Sequence, residues 1–194
     1  MKKHCRSKLV LVTLLSISLL ATGCSAQWIS VALADLPVLV QMSLNIGTLV
    51  TTLETGRQLS SAEAGTIQDI SKEASKDLAL LQVLYNQYKA SPTATTIQKI
   101  QSAIADLNQN LPKLLQAAHI SDPTLSTRIT AAVNLILTTV NSFASLIPQP
   151  APSVHAQVAR QKLAVPVAAE LKKQWNEQVC GTIGTTSLAS CTVN

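Results

Sequence analysis

Apolar residues recur every three or four positions through most of the middle of this chain. From about Thr95 to Ala118, Ile97, Ile100, Ile104, Leu107, Leu111 and Leu114 form one stripe, while Gln98, Lys99, Gln101, Asp106 and Gln109 fill the opposite face. That spacing predicts an amphipathic helix, because 3.6 residues per turn brings those apolar positions to one side. Pro112 has no N–H for the helical ladder, so it is expected to bend the helix or split off its last turn. The preceding segment, about Ser61 to Lys89, carries Ile67, Ile70, Ala74, Leu78, Leu81 and Leu84 or Tyr85 in the same way. Ser60 followed by Glu63 fits a capping box, and Asp69 with Lys72 and Glu73 with Lys76 are spaced to pair on the solvent side.

A third stripe, Leu125, Ile129, Val133, Ile136, Val140, Phe143 and Ile147, predicts a helix from about Pro123 to Leu146. Ser121 or Asp122 suits its N-cap and Pro123 its first turn. Ser91-Pro92 is given a comparable part before the helix that precedes it. Between Trp28 and Thr55 the chain is apolar on several sides, with Asp35 the single charge from Trp28 to Leu53. Asp35 and Pro37 mark a restart, so this helix is placed from Leu36, with Gly56 as its C-cap. Gln41, Ser43 and Asn45 favour a buried bundle helix over a membrane span. Short connections make successive helices antiparallel neighbours.

The predicted fold is therefore all-α, an up-down bundle of three or four long helices. Pro148-Gln149-Pro150-Ala151-Pro152 then predicts an extended spacer. Past it, Val167, Leu171, Trp175 and Val179 fall every fourth residue and predict a short helix, followed by a glycine-containing tail between Cys180 and Cys191. The organisation read from these patterns is an N-terminal segment over residues 1–23, an anchor-proximal segment 24–35, a bundle 36–147, a Pro-containing linker 148–166 and a short helix with tail 167–194.

The N-terminal segment changes the picture most. Lys2, Lys3, Arg6 and Lys8 precede Leu9 to Leu20, a run without a charge that is shorter than the roughly 20 residues a spanning helix needs. Leu20-Ala21-Thr22-Gly23-Cys24 closes it. These residues resemble the lipobox of bacterial prolipoproteins, with Ala21 standing where that family prefers a larger aliphatic residue. The resemblance covers only the first 24 residues. It implies cleavage before Cys24, a diacylglycerol on its thiol, and a mature protein held at a membrane. Ser25 resembles the second residue of lipoproteins that two-membrane bacteria pass to the outer membrane, facing the periplasm. The alternative is an ordinary secretory signal cut after Ala21-Thr22-Gly23 or Cys24-Ser25-Ala26.

With that segment removed, the formal charge of +5 shrinks: four of fifteen Lys and Arg lie in it, and all ten acids follow Cys24. A nearly balanced mature chain gives no electrostatic reason to bind nucleic acid. Trp28, Tyr85, Tyr88, Phe143 and Trp175 are the only aromatics, too few to favour stacking sites for sugars or single-stranded nucleic acid. Cys5 leaves with the signal and Cys24 takes the lipid, so Cys180 and Cys191 remain to pair in an oxidising envelope. A metal role is disfavoured because Cys-x10-Cys has no nearby His to complete a set.

No catalytic constellation emerges. His119 falls at a helix end, where an imidazolium suits the dipole; His155 lies beside the Pro-rich linker. Gly181-Thr182-Ile183-Gly184 lacks the Lys-Ser/Thr of a phosphate loop. Glu63, Asp69, Glu73 and Asp77 are read as one solvated acidic face, without the Glu-x-x-His motifs of a di-metal bundle. The sequence thus leads to a non-enzymatic, cofactor-free envelope protein anchored through Cys24, its bundle binding a protein partner or a second copy. The alternative is a periplasmic binder of an apolar small molecule or lipid, held between the helices.

Overall fold

The chain's first described helix, α1, runs from Trp28 to Val50 without the restart expected at Asp35 and Pro37. The reason is visible in its buried stripe. Trp28, Ile29, Ala32, Leu36, Leu39, Met42, Ile46 and Leu49 all face the core, and Pro37 points outward. A proline inside a helix costs about 3 kcal/mol, whereas each fully buried Leu or Ile contributes roughly 1.5–3 kcal/mol. Burial on both sides of Pro37 wins, and the boundary drawn at residue 36 falls inside a helix. The computed structural model describes residues 28–50, 59–147, 167–181 and 191–193. The signal with Cys24, Gly56, the Pro-rich linker and His155 lie outside the described residues. No strand occurs among the described ones.

Helix α2 spans Ser61–Ala90 behind the capping box read in the sequence: the Glu63 N–H donates to Ser60 Oγ at 3.2 Å, and the Ser60 N–H donates to Glu63 Oε2 at 2.9 Å. Its buried stripe holds every apolar position named above. Ser91 closes α2, its N–H donating to Gln87 O. The N-cap of α3, Ala94–Ala117, is therefore Thr93, two residues later than Ser91. A C-terminal carbonyl of α2 needed a donor, and Ser91 supplied its backbone to that end instead. Helix α3 continues through Pro112, with Leu111 fully buried beside it, so no last turn splits off. Helix α4, Pro123–Leu146, starts as anticipated, with the Leu125 N–H donating to Asp122 Oδ1 at 2.8 Å and Pro123 in the first turn.

Cross-helix contacts define the packing. Near one end of α1 the Trp28 ring lies 5.6 Å from Tyr85 and 5.9 Å from Tyr88, late in α2. Farther along α1, Ser43 O accepts from Ser71 Oγ at 2.7 Å and Gly47 O accepts from Gln68 Nε2 at 3.2 Å, early in α2. These pairs set α1 and α2 antiparallel. Tyr85 also meets Phe143 of α4 edge-on, so three helices share one aromatic cluster. The α3 and α4 helices are joined on their outer side by Asn108 and Asn141, whose amides exchange hydrogen bonds at 2.8 and 2.9 Å.

Helix α5, Ala168–Trp175, runs on into a π-helical turn, Asn176–Cys180. Leu171, Trp175 and Val179 are fully buried, as their spacing requires. Val167 is not part of that stripe: it is the extended N-cap residue and 63% exposed. By length and composition α1 and α4 are each apolar enough to cross a membrane, and half of each apolar window is buried within the protein.

Candidate functional site

Cys180 and Cys191 are joined in a disulfide with their Cα atoms 5.7 Å apart. Both are buried, and the carbonyl of Cys191 is the point at which the tail is held. It accepts from Trp175 Nε1 at 3.0 Å and from Asn45 Nδ2 of α1 at 3.3 Å. The Val193 N–H donates to Asn176 Oδ1 at 3.1 Å. Hydrogen bonds made inside the core by Trp and Asn side chains leave no orphaned amide at these points. The tail is therefore fastened to α1 by polar contacts and to the π-turn by the disulfide.

Three charged residues, Asp35, Asp77 and Arg128, lie in the interior. Asp35 is only 2% exposed. Burial pushes its carboxyl up to about 6, opposed by the Ala168 backbone N–H that it accepts. Because Val167 has no capping side chain, Asp35 supplies from α1 the acceptor that α5 lacks at its start. Its other oxygen, Oδ2, has no partner. Its signal in the sequence is that it is the lone charge from Trp28 to Leu53.

Asp77 corrects the reading of a single wet acidic face. It is 7% exposed with Oδ2 unpartnered. Desolvation and then the neighbouring Glu73 charge push its carboxyl up, with Asp106 of α3 acting the same way and Lys76 opposing. Position 77 lies three residues past Ala74 and four before Leu81, so the helical repeat itself carries it toward the core. Arg128 is 5% exposed on α4, three residues past Leu125 and beside Ile129, with Nη1 unpartnered.

Glu63 joins three backbone or hydroxyl groups at the surface. Besides Ser60, its Oε1 accepts the Ser121 N–H at 2.8 Å, tying the α3–α4 connection to the start of α2. The Ser121 N–H first, and then the Ser60 hydroxyl and N–H, hold its carboxyl down at about 2. Glu73 and Lys76 form the anticipated pair at 3.3 Å. His119 is exposed just past the end of α3, at a positive φ of 41°.

An open groove of about 520 Å³ separates α2 and α3, lined by Asp69, Lys72, Glu73, Asn110, Lys113 and Leu114. Its walls alternate acid and base, which suits a polar partner surface better than an apolar ligand. Among the described residues no three His, Cys, Asp or Glu side chains gather where a metal ion would be held. The arrangement defines an all-helical protein whose disulfide-tied tail is held to the first helix, while the π-turn packs against α4. Compared with protein-family models, with curated proteins and with solved structures, the chain finds no match.

Proposed function

We propose that this chain is a lipid-anchored protein of the bacterial cell envelope, non-catalytic, whose four long helices form an up-down bundle that binds another protein or a second copy. The observation that carries the reading is the join between anchor and bundle. Only residues 25–27 separate Cys24 from Trp28, and Trp28 is buried against Tyr85 and Tyr88. The four Cα steps from Cys24 to Trp28 reach about 14 Å at most, so a lipid on Cys24 holds the aromatic end of the bundle close to the membrane surface. Two or more acyl chains are needed for stable anchoring, and the lipobox-like residues imply that kind of modification.

An interaction role is supported by apolar side chains left on the outer face. Leu80 and Val83 lie one turn apart on α2, 47% and 52% exposed. In the groove described above, Leu114 is the single apolar lining residue, so no observation favours the apolar-ligand alternative. The reading is tested by metabolic labelling with a fatty acid. Wild-type chain takes up label and Cys24→Ser does not, its signal remaining uncut or cut elsewhere. Equal labelling of both, with both in the membrane fraction, refutes the anchor.

A further inference from the structure

Among the described residues, Arg128 is the buried cation of the core, and the fold gives it no counter-charge. A guanidinium carries a fixed charge, and burying a charge without a counter-charge is costly unless something compensates. Here it sits 5% exposed on α4, Nη1 makes no hydrogen bond, and no ion pair among the described residues joins it to a carboxylate. The residue above it is Gly181, at the point where the π-turn ends. Gly181 adopts φ of +60°, a conformation that L side chains rarely take, and a Cβ there would stand 3.4 Å from Arg128 Nη2. The guanidinium thus lies against bare backbone beside the Cys180–Cys191 disulfide, with Nη1 buried and unpartnered. The Gly181 N–H donates to Asn176 O at 3.0 Å.

We propose that Arg128 is the recognition group of an anion site at the root of the disulfide-tied tail, and that its ligand is an oxyanion, a carboxylate or a phosphate. The planar fork of a guanidinium matches the two oxygens of such groups and makes paired, charge-assisted hydrogen bonds that chloride cannot reproduce. A purely packing role would be served better by a methionine-like side chain, since replacing buried charge by an apolar residue of similar volume is often neutral or stabilising. The site is independent of the lipid anchor: it needs only the folded bundle and the closed disulfide.

The test is a titration of the disulfide-intact protein with inorganic phosphate and, separately, with sodium acetate, at constant ionic strength set with sodium chloride. Nuclear magnetic resonance follows the Arg128 Nε–H and the Gly181 amide. Both signals are expected to shift saturably with at least one of the two oxyanions and not with chloride. Arg128→Met should fold, and its Gly181 amide should show affinity weaker by on the order of tenfold or more, the loss of one charged hydrogen bond. Arg128→Lys, which keeps charge without the fork, should fall between them. Response to phosphate alone identifies a phosphate-bearing ligand, and response to acetate alone a carboxylate. If neither wild-type signal moves with either oxyanion, or if Arg128→Met responds as wild type does, the proposal is wrong.

Discussion

Two carboxyl groups, Asp35 and Glu63, are perturbed in opposite directions, and each makes stability depend on pH. The Asp35 carboxyl is raised from 3.8 to about 6 by burial. The folded protein therefore holds that proton more tightly than the unfolded chain, and stability rises as pH falls from above 6 toward 3.8. Above pH 6 the ionised form destabilises the fold. Asp35→Asn, which keeps an acceptor for the Ala168 N–H, should raise the urea midpoint at pH 7.5 and flatten the rise between pH 7.5 and 4.5. A lower midpoint at pH 7.5 would mean that the charged hydrogen bond outweighs desolvation. Glu63 behaves inversely: lowered from 4.5 to about 2, it stabilises the fold above pH 4.5, and that contribution is lost as pH falls toward 2. Glu63→Gln should melt earlier than wild type at pH 7, and the two curves should converge near pH 2. Glu63 was legible as a capping residue because the box is local. Its bond to Ser121 was not, because 58 residues separate them.

At the scale of elements, local chemistry set the helix starts and distant packing decided their continuity. Asp122, Pro123, Ser60 and Glu63 act where the sequence places them, since a cap involves only the next three residues. Local chemistry predicts a restart at Pro37 and a bend or a split last turn at Pro112, yet neither helix breaks there, because the buried stripes on either side continue in phase. The short C-terminal helix depends most on its tertiary setting, being eight residues long and capped from α1. Helices of that length are marginal in isolation. Removing the disulfide in Cys180→Ser/Cys191→Ser should therefore cost roughly 3 kcal/mol by loop-closure reasoning. Trp175, fully buried in the native protein, should show red-shifted fluorescence in the variant at a denaturant concentration that leaves wild type unchanged. An identical midpoint and emission would show that the hydrogen bonds to Cys191 O suffice.

For the whole molecule, the exposed pair on α2 separates stability from association. Leu80→Glu/Val83→Glu changes two surface positions away from caps, cores and bridges, and such changes usually stay within about 0.5 kcal/mol each. On the proposed interaction role, the variant should melt close to wild type and lose whatever crosslinked products the wild-type chain forms in cells. Retention of those products would move the interaction surface elsewhere on the bundle. The sequence by itself determined the all-helical class, the stripes of α2, α3 and α4 and most caps, because each follows from spacing within a few turns, whereas the pairing of Cys180 with Cys191 was read only by assigning the other two cysteines to the N-terminal segment. Only the tertiary structure decided that Asp35 caps α5, that Cys191 O is held by Asn45 and Trp175, and that Arg128 and Asp77 lie inside. A helical repeat assigns a face to each residue, but the neighbour across that face comes from another part of the chain. Whether a charge at the margin of a stripe meets water or core is settled only when the helices pack.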